Sequence, residues 1–194
     1  MWDNLKDYHI ILGSQSPRRV QLLGGLGIAF EQYAMPEIDE SYPENLPPEE
    51  VALYIAEKKA KAYAGRMQDN TLLITADTVV IDSKDRILGK PADPAEAKSM
   101  LQCLSDSTHR VVTGVVIATP GHREKISCIS KVTFGALTDE QIDYYLSNFA
   151  PLDKAGAYGI QEWIGYVAIK HIEGSFYNVM GLPVYQVAHT LMLF

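Results

Sequence analysis

The segment that most narrows the possible folds is Ile10-Ile11-Leu12-Gly13-Ser14-Gln15-Ser16-Pro17-Arg18-Arg19. Its consecutive apolar residues read as a strand, and Ser16-Pro17 reads as an N-cap followed by proline at the first helical position. Val20, Leu22, Leu23 and Leu26 continue the apolar pattern beyond it. A strand that turns at once into a helix is a building unit of layered α/β folds. The start of such a helix offers unpaired N–H groups and a partial positive charge, which together favour an anion. Arg18 and Arg19 oppose that field, so a bound anion explains their placement, and paired guanidinium forks suit linked phosphates. The competing explanation is an exposed first turn that merely carries two arginines.

A chain of 194 residues suits one domain over 1–194, or two small lobes around a cleft. Its hydrophobic share of 47% is enough to build a core. No apolar run approaches the length of a membrane span, and Met1 to Asp7 lacks the pattern of a signal peptide. The net charge of −7, with no long basic run, argues against an extended nucleic-acid surface. A small anionic ligand is compatible with that charge if cations converge locally. Cys103 and Cys128 lie in apolar-patterned segments and read as reduced core thiols, which points to a cytoplasmic protein.

Along the rest of the chain the pattern predicts a strand over 28–34 and a proline-rich acidic loop over 35–48. A helix follows from about Pro48 to Met67, with Val51, Tyr54, Ile55, Lys58 and Ala62 on one face. Lys58 on that face either snorkels past the core or reaches an anion. Leu72 to Ala76 reads as a buried strand continued by Val79-Val80-Ile81, with Asp77-Thr78 inside it. A carboxylate in such a run needs a partner, because desolvating an unpaired charge is costly; it is either a hydrogen-bond anchor or a metal ligand or base. Asp82 to Arg86 predicts a hairpin turn, and Asp93-Pro94-Ala95-Glu96 predicts a capped helix. Strands are expected near 109–117, 126–134 and 164–172. Helices are expected from Thr138 to about Phe149 and after Pro183. The small residues in Asp153 to Gln161 suggest close backbone approach. The sum is an α/β protein with a mixed sheet and flanking helices.

Basic candidates are therefore Arg18, Arg19, Lys58, Lys90 and Lys154, and acidic ones Asp77, Asp39 and Glu40. Cations that neutralise phosphate charge, with carboxylates that hold Mg²⁺ or Mn²⁺ through oxygen, form the equipment for cleaving a phosphoanhydride. There is no glycine-rich P-loop and no GxGxxG, and the five histidines show no metal-ligand spacing. His109 reads as a satisfied residue at the end of a strand.

Six ordered segments resemble the Maf proteins, a family of nucleoside triphosphate pyrophosphatases, over essentially the whole length. They are Gly13 to Arg19, Glu57-Lys58, Ala76 to Val80, Gly89-Lys90-Pro91, Thr108 to Gly114 and Asp153 to Gln161. The resemblance implies hydrolysis of a nucleoside triphosphate to the monophosphate and pyrophosphate with a divalent metal, Mg²⁺ or Mn²⁺. It also implies a fold like that of the inosine triphosphate pyrophosphatases, an elongated mixed sheet with two lobes around a cleft, and a homodimer. Carried over by motif, Asp77 matches the catalytic proton acceptor, with Lys58 and Lys90 as catalytic partners and Glu40 with Asp77 at the metal. Ser14 and Arg19 match substrate-binding positions. Arg18, Thr78 and Gln161 match the positions that mark the branch acting on dTTP and UTP, whereas Glu162-Trp163 departs from the glycine common in relatives. Two other roles fit the same resemblance: a pyrophosphatase for modified or non-canonical nucleotides, and a nucleotide-sensing regulator of septum formation.

Overall fold

The computed structural model describes residues 1–34, 38–149 and 151–194. Met35, Pro36 and Glu37, at the start of the expected 35–48 loop, lie outside the described residues. The opening segment folds as its pattern predicts. β1 (His9–Gly13) leads into α1 (Pro17–Gly24), with Ser16 as N-cap and Pro17 inside the first turn. The chain continues through β2 (Glu31–Tyr33) and α2 (Pro48–Tyr63) to β3 (Thr71–Ile81). β1 is parallel to both neighbours, pairing Ile11 with Glu31 of β2 and with Leu73 of β3. Parallel neighbours need crossover connections, which α1 and α2 supply.

The remaining elements are β4 (Ile87–Leu88), α3 (Pro94–Leu104), β5 (Thr108–Ala118), β6 (Arg123–Phe134), α4 (Asp139–Phe149), α5 (Trp163–Val167), β7 (Ile169–Glu173), α6 (Phe176–Met180) and α7 (Val184–Leu191). The seven-stranded sheet runs β2-β1-β3-β5-β6-β7, with β4 antiparallel on β3 and β7 antiparallel on β6. The expected mixed α/β sheet with flanking helices is the one observed. The residues form two compact units, one of 1–77, 113–128 and 181–194, the other of 78–112 and 129–180. β3, β5 and β6 contribute residues to both.

In the first unit α2 packs on the strands through Ala56, Ala60 and Tyr63, which join Ile11, Leu73, Val116 and Ala118 in one apolar cluster. Alanines let the helix backbone come close, and Gly114 of β5 takes this furthest. A Cβ at Gly114 would stand 2.3 Å from the backbone of Leu53. Thr75 Oγ1 donates to Ala56 O at 2.8 Å and fixes the helix on the same strand that carries Asp77.

In the second unit the rings of His109, Phe134 and Tyr158 pack edge to face, with centroids 5.0 to 5.4 Å apart. Buried Asn178 donates to Val111 O and to Ser130 Oγ, each at 3.0 Å. The two predicted capped helices are present. Glu96 N–H donates to Asp93 Oδ1 at 2.8 Å, and Gln141 N–H donates to Thr138 Oγ1 at 3.2 Å.

Several expectations need correction. The strand expected over 28–34 is confined to Glu31–Tyr33. α2 stops at Tyr63 and passes into a 3₁₀ turn over Ala64–Arg66. The segment 164–172 is not one strand: Trp163–Val167 is helical, and β7 begins only at Ile169. The chain doubles back there so tightly that a Cβ at Gly165 would lie 1.8 Å from Ile160 O, which an extended path would not require. The short helix α6 was not anticipated. Both cysteines are free thiols, Cys128 buried and Cys103 half-buried.

Candidate active site

In the first unit the turn between β1 and α1 orients an arginine. Ser14 is buried, and its Oγ accepts from Ser16 N–H at 3.2 Å and from Arg19 Nη1 at 3.4 Å. Arg19 Nη1 also donates to Ala76 O at 2.9 Å, and its Nε donates to Gly181 O at 2.8 Å. Carbonyls of two other segments thus hold the guanidinium beside the residue that precedes Asp77. Burial lowers the Arg19 pKa from its ordinary value; Asp77 and Glu40 act in the opposite sense, and neighbouring Arg18 in the same one. Arg18 is half-buried.

Asp77 closes the first unit's share of β3, with its side chain 15% exposed. Its partner is Lys59: Lys59 Nζ lies 2.7 Å from Asp77 Oδ1 and 2.9 Å from Glu40 Oε1. Lys58, expected at this place, instead stands 3.3 Å from Asp39 and donates to Ser41 O at 3.0 Å. Successive helix residues are rotated by about 100°, so a one-residue difference selects a different face. The buried face of α2 is Val51, Ala52, Ile55, Ala56, Ala60 and Tyr63, while Tyr54 and Ala62 are exposed. The apolar stripe therefore runs through the alanines, and Lys59 extends from it. The run Ala52, Ala56, Ala60 was the available signal. Asp39 is held locally as well. Hydrogen bonds from Ser41, first from Oγ and then from N–H, together with Lys58, pull its pKa down to about 2.

Glu40 and Asp77 thus aim carboxylate oxygens at one cationic point. Among the described residues no group of three or more His, Cys, Asp and Glu side chains is arranged to hold a metal ion. Two hard oxygen donors without a full cage suit a cation such as Mg²⁺, which commonly takes one or two carboxylates and completes its shell from phosphates and water. The donor set fits the metal that the resemblance implied.

Lys90, Thr78 and Gln161 belong to the second unit. Thr78 follows Asp77 directly on β3 and is half-buried, and Lys90 is exposed beyond β4. Gly89 O, just before Lys90, accepts from Gly156 N–H at 3.0 Å. Gly156 has φ of 68° and lies against Val80, so glycine is required there by both conformation and space. Gln161 is exposed at the edge of a hollow of about 270 Å³ whose walls include Ile160, Tyr166, Ile172 and Phe176. His109 is buried, with Nε2 2.8 Å from Tyr158 OH, and burial drives its pKa down to about 4. The expectation of a satisfied strand-end residue holds for Nε2 only, since Nδ1 has no hydrogen-bond partner among the described residues. Lys154, the fifth basic candidate, is buried and paired with Asp153 at 2.7 Å and Glu162 at 3.1 Å. No helix among the described residues is long and apolar enough to cross a membrane.

A family model described as Maf-like protein matches residues 9–194. A dTTP/UTP pyrophosphatase of Porphyromonas gingivalis is 63% identical over 187 residues, covering 95% of this chain and 94% of that protein. A dTTP/UTP pyrophosphatase of Parabacteroides distasonis is 53% identical over 194 residues, covering 100% of both. Among solved structures, a HAM1 protein from Coxiella burnetii superposes with a TM-score of 0.54 at 17% identity, covering 96% of this chain and 100% of that one. At that identity the likeness concerns the fold.

Proposed function

Because the chain belongs to the Maf-like protein family, we propose that it hydrolyses dTTP and UTP to the nucleoside monophosphate and pyrophosphate. The observation that carries the chemistry is the convergence of Glu40, Asp77 and Lys59, with Arg19 held beside them. The substrate follows from relatives of 63% and 53% identity that bear that activity in their names.

Glu40 and Asp77 would hold a divalent cation, Mg²⁺ or Mn²⁺, which supplies neutralisation of phosphate charge. Arg18, Arg19 and Lys90 bind phosphate oxygens, with Arg19 pre-oriented by Ala76 O and Gly181 O. Lys59 is the lysine placed to exchange its carboxylate partners for a substrate oxygen, because it, rather than Lys58, faces Asp77 and Glu40. Asp77 accepts a proton from water as the water oxygen attacks the α-phosphorus. A new P–O bond forms, the bond to the bridging oxygen breaks, and pyrophosphate departs. Gln161 reads the base: an amide carries both a donor and an acceptor, and a site built on such bonds rejects bases that leave them unpaired. Ser14 acts through the turn and Arg19, since its hydroxyl is engaged there. Thr78, adjacent to Asp77, and Arg18 complete the selective set.

We treat residues 1–194 as one catalytic domain acting in the cytoplasm, consistent with the two free thiols. We take a homodimer as the working assembly. Exposed Tyr166, Phe176 and Tyr177 offer apolar surface for such a contact, and light scattering decides it. The activity is tested by kcat/KM for pyrophosphate release with dTTP, UTP, CTP, 5-methyl-UTP, pseudo-UTP and 7-methyl-GTP under Mg²⁺ or Mn²⁺. Preference for dTTP and UTP is expected. Higher kcat/KM for the modified nucleotides would replace it with a pool-cleaning role, and binding without turnover would make the protein a sensor.

A further inference from the structure

Gln161 is carried on a tight turn whose two ends are tied to a single phenol. Glu162 N–H donates to Gly159 O at 3.0 Å, closing a four-residue turn with Ile160 and Gln161 at its centre. Gly159 N–H, at one end, donates to Tyr145 OH at 3.0 Å. Tyr145 OH in turn donates to Glu162 Oε2, at the other end. The second carboxylate oxygen of Glu162 lies 3.1 Å from Lys154 Nζ, whose side chain is 9% exposed and which also pairs with Asp153. Tyr145 is fully buried in α4 and stacks on Phe149 at 5.3 Å. The Glu162 carboxylate packs on the backbone at Gly159, where a Cβ would come within 2.8 Å of it.

We propose that Tyr145, Glu162 and Lys154 form a frame that positions Gln161 for base selection, an inference that rests on Gln161 being the base-reading residue. The Tyr145 hydroxyl has one proton to give and lone pairs to accept with, and both functions are used on the same turn. Burial, and then the Glu162 carboxylate, raise its pKa, so the phenol keeps the proton it donates. Lys154 fixes the carboxylate from the other side and offsets its charge. The turn therefore cannot tilt without breaking a buried hydrogen bond or ion pair, which fixes the backbone point from which the Gln161 side chain reaches a base. Glu162 is the residue that joins turn, helix and lysine. These three are positioning residues, acting through Gln161.

The test compares Tyr145→Phe, Glu162→Gln and Gln161→Ala in the full-length protein. Tyr145→Phe keeps the ring stacked on Phe149, and Glu162→Gln keeps an acceptor for the phenol with nearly the same volume. For both frame variants KM for dTTP and UTP is expected to rise about tenfold with kcat within about twofold. Inhibition by inorganic tripolyphosphate, which has no base, is expected to be unchanged. Hydrogen exchange at the Gly159 amide is expected to accelerate in Tyr145→Phe. In a Gln161→Ala background, Tyr145→Phe is expected to leave the preference for dTTP over CTP where Gln161→Ala puts it. If Gln161→Ala abolishes that preference while both frame variants retain wild-type KM, the frame is overturned and the base reading stands. If Gln161→Ala leaves the preference intact, the base reading falls and the frame with it. Equal losses in kcat and in tripolyphosphate affinity in the frame variants would show a general structural role and overturn the proposal.

Discussion

In the first unit the polar groups of interest are charged: Lys59 and Asp77 face each other at 14% and 15% exposure, with Glu40 half exposed beside them and Arg19 coupled electrostatically to both acids. In the second unit, by contrast, buried His109, Tyr158 and Tyr145 are neutral groups that close on one another or on the turn carrying Gln161. A cluster of charges is poorly satisfied by itself, because desolvation offsets much of the Coulomb attraction. It gains when a phosphate chain and a cation enter. The hydroxyls of Tyr158 and Tyr145 are already paired, with His109 and with the turn carrying Gln161, and such hydrogen bonds gain rigidity instead. The difference separates the charged groups around Asp77 from the hydrogen-bonded groups that hold the turn of Gln161 in shape.

The sharpest way to break this contrast is to neutralise the acid at its centre. Asp77→Asn is expected to lower kcat by about a thousandfold or more while the melting temperature changes little, because shape and volume are kept. Near-normal turnover would remove Asp77 from the mechanism.

In the second unit the corresponding change should act on stability and on its pH dependence. His109 has a pKa of about 4 in the folded protein and one of about 6.5 when unfolded. Below pH 6.5 the unfolded chain takes up a proton that the native state refuses until near pH 4. Stability therefore rises with pH across that window and is lost as pH falls through it, by up to about 3 kcal/mol. Chemical denaturation at pH 4.5 and 7 should show a loss that shrinks in His109→Gln. The same loss in the variant would remove His109 as its source.

The next contrast lies within α2. Lys59→Met is expected to cost about a hundredfold in kcat/KM, as the loss of a cation at developing phosphate charge should. Lys58→Met, whose partners are Asp39 and Ser41 O, should stay within about threefold of wild type. Steady-state kinetics on the two variants side by side decides which lysine serves the site.

That pair also marks where the sequence was legible. The turn from β1 into α1, the Asp82 to Arg86 hairpin and the two capped helices are local, since each depends on residues a few positions apart with distinctive chemistry. Asp77 stood out for the same reason, as a carboxylate inside an apolar strand. The choice between Lys58 and Lys59 is not local. It depends on which face α2 buries, and that face is lined by alanines, whose small size brings the helix against Gly114 and Thr75. A stripe counted from the large residues Val51, Tyr54 and Ile55 is rotated away from it. The helix at Trp163–Val167 was hidden similarly, because Ile164 and Val167 suit a strand and only the backbone approach at Gly165 reveals the turn back. Tyr145 carried no local signal, since its partners are at Gly159 and Glu162, far along the chain.

In the proposed mechanism Asp77 and its neighbours direct water to the α-phosphorus of a pyrimidine triphosphate. Hydrolysis of dTTP in H₂¹⁸O, with the products analysed by mass spectrometry, tests it most directly. The label should appear in dTMP, with unlabelled pyrophosphate released. Label in the pyrophosphate, or release of dTDP and orthophosphate, would contradict it.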